Sequence, residues 1–394
     1  MSSTEHIQNL SFGSSINNLP CSFHVPPYAR SLGELHKGSS QPIELSPSDL
    51  NEHNSLTCDE DSSSLEQFHE PIDGDQQGTS TSAVVNQAVD AADVRDVIRN
   101  ELGRLHELHF IAERQEARYF ILEYRSQVVC WFVQVVSALQ LAKETLHCAV
   151  SLLDRYIAST KALPTPAVIQ LLALSCLSAA AKHEEVAQRS ADEWVCLALS
   201  DDHRKLYEDR DLHRMEWLLL ETVEWRIRVP NTFTFLRHYQ AVLTNRGVIP
   251  NELAYAALFK ACSEFMAEIS MLYAELLSFG YSTVAVACLI LAESQWPFVP
   301  SGGSLPAAAT AAAPVQSQQR LLAAEGPAAQ SFLSELTAFT ELDASCVAPG
   351  LGRCLEFMSR LYHFIVFADP TDGGLALLAP ILARYPQVVS HLGQ

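Results

Sequence analysis

The run Pro166-Ala-Val-Ile-Gln-Leu-Leu-Ala-Leu-Ser-Cys-Leu-Ser-Ala-Ala-Ala-Lys182 decides the fold. From Val168 to Ala181 it is apolar on nearly every side, so it reads as a helix surrounded by protein rather than one lying on a surface. Its many Ala and Ser residues let neighbouring helices approach closely. Gln170, Ser175 and Ser178 interrupt it, and Lys182, Glu184 and Glu185 end it, which is too short and too broken for a membrane span. Pro164 and Pro166 mark where it starts.

Working outward, Val128, Trp131, Phe132, Val135, Val136 and Leu139 keep the i, i+3, i+4 spacing of one helix face, and Leu146, Ala149, Val150, Leu153 and Ile157 repeat it. Asp211 to Val223 is amphipathic and is closed by Pro230. A weaker copy follows: a helix from Phe233, a long one from about Glu252, and a second small-residue apolar helix from Ser282 to Glu293 after Gly280. Phe332 to Phe339 and Leu351 to Phe367 supply the last helices. No alternating strands occur, so the expected fold is all-α: two consecutive helical bundles, each wrapped round one buried helix.

The boundaries follow from composition. Residues 1–89 contain no Trp, are rich in Ser, Asn, Gln and Pro, and carry only Arg30 and Lys37 against many acids. Such a segment cannot bury enough apolar surface to offset its ordering entropy and reads as a disordered acidic tail. The first bundle is expected at 90–229, the second at 230–368 with a Pro-, Gly- and Ala-rich insertion at about 297–328, and a C-terminal tail at 369–394. The formal charge of -20 argues against direct nucleic-acid binding, which needs a basic face. Ten cysteines are scattered without a C-x-x-C pair, the usage of a reducing compartment, with Cys148, Cys176 and Cys288 acting as small hydrophobes. No signal peptide and no membrane span are expected. There is no Gly-rich phosphate loop and no G-x-S-x-G, so no enzyme, cofactor or metal is expected. His106 and His109 stand three apart where a zinc-protease helix needs four.

Four motifs carry a resemblance. Arg125-Ser-Gln-Val-Val-Cys-Trp131 resembles the opening of a cyclin box, with its Arg six residues before a Trp. Glu144-Thr-Leu146 with Leu153-Asp-Arg-Tyr-Ile157 resembles the second helix of that box, Ala180-Ala-Lys-His-Glu-Glu185 the end of its central helix, and Arg214-Met-Glu-Trp-Leu218 with Trp225 a later helix. They occur in the family's order over about residues 120–240, whereas in the second half the resemblance rests on helix order and Phe279-Gly-Tyr281. The resemblance implies a regulatory subunit that binds and activates a cyclin-dependent protein kinase, present in nucleus and cytoplasm. It implies that Lys182 and Glu216 reach kinase main chain, with Ala179, His183, Leu220 and Ile227 packing around them; the alternative is two solvated charges. It also implies that Arg125 and Asp154 form an internal ion pair. A docking groove for Arg-x-Leu peptides would comprise Tyr124, Gln127, Val128, Trp131, Gln134 and Gln170. There Gln127, Cys130 and Gln134 depart from the family's pattern, and Trp131 reads equally as core.

Leu56-Thr-Cys58-Asp-Glu60 is an LxCxE motif in the acidic tail. It is similar to the segment by which D-type cyclins, especially those of plants, hold retinoblastoma-type pocket proteins, which implies a G1/S role in cell division. Leu and Cys fill small apolar pockets from an extended strand while Glu takes polar contacts. The alternatives are a transcriptional or other non-D cyclin, or a cyclin-fold adaptor without a kinase.

Overall fold

A computed structural model describes residues 91–104, 124–160, 163–198, 204–250, 252–295, 327–367 and 373–392. Among them the elements are α-helices with one 3-10 turn and no strand. In chain order they are α1 (Ala91–Arg104), α2 (Ser126–Leu139), α3 (Lys143–Ser159), α4 (Pro166–Glu184) and α5 (Ala191–Val195). α6 (Asp209–Thr222), α7 (Thr232–Asn245), α8 (Leu253–Ser270) and α9 (Tyr281–Gln295) follow. The chain then gives α10 (Pro327–Thr340), α11 (Ala344–Val347), α12 (Leu351–Phe367), α13 (Gly373–Arg384) and α14 (Pro386–Leu392).

The expected architecture is present. α4 starts with Pro166 in its first turn, where a missing N–H costs nothing, and every residue from Ile169 to Ala181 is buried. α2, α3, α5 and α6 pack round it. Ser175 satisfies its hydroxyl inside this apolar setting by donating to the Leu171 carbonyl at 2.8 Å. In the second bundle α9 takes the central place, buried from Ser282 to Ala292 and flanked by α7, α8, α10 and α12. Cys148, Cys176 and Cys288 are buried, as their apolar surroundings predict.

The first and the last described helices cross between the bundles. α1 lies against α10 and α7 of the second bundle, where Arg95 and Arg99 pair with Glu341 at 2.8 and 2.5 Å and Arg99 Nε donates to the Thr340 carbonyl at 2.6 Å. Residues 369–394 are not a plain tail. They include α13, which packs on α2 and α8, and α14, which packs on α8. Leu378, Ile381, Tyr385 and Val388 are buried there, and Tyr385 donates to Glu268 at 2.7 Å. Gly373, Gly374 and Pro380 obscure this helix in the sequence, because Gly and Pro ordinarily break helices, yet Pro380 sits inside α13. The insertion expected at 297–328 ends at Pro327, where α10 begins; its other residues, the acidic tail 1–89 and the pair His106 and His109 lie outside the described residues. Among the described residues no helix is long and apolar enough to cross a membrane.

Candidate functional site: a docking face on the first bundle

The central helix ends at the surface in Ala181-Lys182-His183-Glu184, and α6 crosses it there. This crossing brings Lys182 and Glu216 together: Lys182 Nζ donates to both carboxylate oxygens of Glu216, at 2.7 and 2.8 Å. The pair is lopsided, with the Lys182 side chain 46% exposed and that of Glu216 8%. An ammonium has three donors, so the outer side of Lys182 keeps donor capacity toward solvent. Glu185 turns inward instead, accepting from the Ala142 N–H at 2.7 Å and the Thr145 hydroxyl at 2.5 Å, which ties the start of α3 to the end of α4.

The other expected contact residues divide. Leu220 and Ile227 are half-buried beside the pair's helix, and His183 is exposed with Nδ1 3.1 Å from Glu184. Ala179 is buried within the bundle and offers little free surface. The groove set divides differently: Val128, Trp131 and Gln170 are buried and Gln134 is half-buried. Leu56, Cys58 and Glu60 lie outside the described residues.

Arg125 and Asp154 form a buried parallel pair, as expected, with Nε–Oδ1 at 2.6 Å and Nη2–Oδ2 at 2.8 Å. The pair also reaches beyond its own bundle, since Arg125 Nη1 donates to the Met271 carbonyl at 2.5 Å. Asp154 and its hydrogen bond hold the Arg125 guanidinium above its ordinary pKa, although burial alone pulls the other way and is the largest influence.

The spacing of apolar residues did not single out Trp217 and Trp225. They are 61% and 55% exposed, and their rings meet edge to face at 5.2 Å. Trp217 follows Glu216 directly and lies one turn from Leu220. Trp225 stands in the turn that ends α6, where Trp225 N–H bonds back to the Leu220 carbonyl at 2.7 Å and Glu224 N–H to the Glu221 carbonyl at 3.1 Å. This is a Schellman closure, which normally puts glycine at the left-handed position. Here Glu224 (φ 56°) and Trp225 (φ 60°) both take that conformation. The signal in the sequence was a Trp among charges, Glu216-Trp-Leu and Glu224-Trp-Arg, where a core residue is out of place.

The Lys182–Glu216 pair and the exposed tryptophans lie within one recognised unit. Residues 94–228 match the cyclin N-terminal domain. The matched stretch runs from α1 to the turn after α6 and contains Lys182, Glu216 and both exposed tryptophans. The chain is similar to G2/mitotic-specific cyclin-2 of Antirrhinum majus, 31% identical over 43% of this chain and 35% of that protein. It is also similar to Cyclin-D1-2 of Oryza sativa subsp. japonica, 28% identical over 51% of this chain and 55% of that protein. The matched part therefore spans from about a third to about half of these relatives' length. A viral cyclin from herpesvirus saimiri, solved by X-ray crystallography, superposes with a TM-score of 0.43 at 13% identity, covering 68% of this chain and 96% of that one.

Proposed function

We propose that this chain is a cyclin that binds and activates a cyclin-dependent protein kinase, the catalytic groups being the kinase's own. The observation that carries the reading is the Lys182–Glu216 pair, half out of water at the end of the central helix of a cyclin domain. Glu216 fixes the ammonium, so Lys182 is held in place to donate outward to main-chain carbonyls of a docked helix or loop. Leu220 and Trp217 on α6, with Trp225 and Ile227 in the turn after it, supply apolar contact area. Aromatic anchors beside a fixed charge are what protein interfaces use for most of their affinity. His183, exposed at the rim, contributes to the choice of kinase.

The finer reading is a D-type cyclin acting at G1/S in nucleus and cytoplasm. It is supported by Leu56, Cys58 and Glu60, which would hold a retinoblastoma-type protein on a tail some thirty residues from the domain. A mitotic or other non-D cyclin is the second reading, favoured by the similarity to G2/mitotic-specific cyclin-2. The test is to purify the tagged full chain from dividing cells and identify its partners by mass spectrometry. A cyclin-dependent kinase in stoichiometric amount supports the reading. Its absence, or recovery of a transcription complex without a kinase, contradicts it.

A further inference from the structure

Arg155, on α3, is a buried guanidinium that makes no ion pair among the described residues. Among the described residues its hydrogen bonds go to main-chain carbonyls in the turn that follows α6. Nη2 donates to Val223 at 3.3 Å and to Arg226, and Nη1 to Ile227 at 3.4 Å. The Val223 carbonyl also accepts from the Arg226 N–H at 3.1 Å, and Arg104 donates to the next carbonyl, Arg228, at 3.0 Å. A guanidinium is suited to this, since its planar fork reaches several acceptors at once and the carbonyl end of a helix is electronegative.

Between these anchored carbonyls lie Glu224 and Trp225, both left-handed without being glycine. Such a conformation persists only where its surroundings over-determine it. What it does is place the Trp225 ring in solvent, edge to face with Trp217 on α6. A buried cation is thus committed to a turn whose product is an exposed aromatic pair. Burial pulls the Arg155 guanidinium below its ordinary pKa, the largest influence, and Arg226 and Arg104 add to it. Arg155 is therefore set there against its own preference for water or a carboxylate.

We propose that Arg155 is a positioning residue, holding the Val223–Ile227 turn in the one shape that presents Trp225 against Trp217 as the edge of the kinase-docking face. The docking part rests on the function proposed above; the positioning part does not. The two are separated by two readouts on the full chain.

The first needs no kinase. Two tryptophans in edge contact give an exciton couplet in far-ultraviolet circular dichroism, assigned by its loss in Trp217→Phe and in Trp225→Phe. Arg155→Lys, which keeps the charge and loses the fork, and Arg155→Met should both lose the couplet while helical signal and cooperative unfolding remain. The second readout is a double-mutant cycle on kinase affinity. Arg155→Met should weaken binding roughly tenfold in the wild-type background and less than about twofold in Trp225→Ala, because both changes remove the same contact. An unchanged couplet, losses that simply multiply, or collapse of the fold in both Arg155 variants overturns the proposal. Failure of the wild-type chain to bind a kinase overturns the docking reading and leaves the couplet to decide the positioning.

Discussion

Arg125, at the N-terminal cap of α2, and Asp154, on α3, form a two-point ion pair whose third donor crosses to Met271 at the end of α8. Both side chains are 2% exposed. Ser126 runs parallel to this crossing, donating to the Leu272 carbonyl at 3.3 Å. One buried charge pair therefore fixes the start of α2 and the seam between the bundles.

Asp154→Ala should strand the guanidinium in that seam. Removing one member of a buried pair costs about 3–5 kcal/mol, so thermal unfolding should move clearly downward. Because Arg125 serves both bundles, the loss should appear in the whole transition and not in the first bundle alone. An unchanged melting temperature contradicts the pairing.

Lys182 and Glu216 should behave asymmetrically in stability. Lys182→Ala leaves a carboxylate that is 8% exposed without its cation, whereas the lost ammonium was nearly half in water. Exposure limits the cost to about 1 kcal/mol. Adding Glu216→Gln removes the orphaned charge and should recover part of the loss in chemical denaturation. Equal destabilisation of the single and double variants would show that the pair is not coupled.

His147 predicts an acid limb in the stability profile. Burial, with Arg384 and Lys143 nearby, pushes its imidazole from 6.5 down to about 3, and its ring stacks on Phe233 at 4.8 Å. The folded chain keeps it neutral while the unfolded chain takes up a proton below 6.5, so stability falls as pH drops through that window. The slope contributed approaches about 1.4 kcal/mol per pH unit. Glu268 works in the opposite sense, because burial raises its carboxyl pKa. Comparing wild type with His147→Gln removes that common background. The variant's profile should be flatter between pH 6.5 and about 3; parallel profiles contradict a buried neutral His147.

Leu56, Cys58 and Glu60 are tested with a tail peptide and a purified retinoblastoma-type pocket domain. Changing Cys58 and Glu60 together should abolish measurable binding and lower phosphorylation of the pocket protein, with activity on histone unchanged. Equal affinity of both peptides removes the D-type reading and leaves the cyclin domain untouched.

The central helix was legible because Val168 to Ala181 is apolar on nearly every side, and a chain can satisfy that only by surrounding it. Arg125 and Asp154 were legible through the cyclin-box motifs, but the donor to Met271 was not, because a main-chain acceptor 146 residues away leaves no mark in composition. Helix α13 was hidden by Gly373, Gly374 and Pro380, which local propensity reads as breakers and tertiary packing on α2 and α8 overrides. Trp131 was legible as either groove or core, since a large apolar side chain on a helix face serves both; it is buried, as are Val128 and Gln170. The Trp217–Trp225 pair depends on two left-handed residues, Glu224 and Trp225, and neither residue type announces that conformation.

The central claim is that the face built on Lys182 and Glu216 docks and activates a cyclin-dependent kinase. It is tested most directly by mixing a purified cyclin-dependent kinase with the full chain or with its Lys182→Ala, Glu216→Ala double variant, and measuring phosphorylation of histone. The wild-type chain should bind the kinase and raise its activity well above that of the kinase alone. The double variant, still cooperatively folded, should do neither. A wild-type chain that activates no such kinase, or a double variant that activates as well as wild type, contradicts the account.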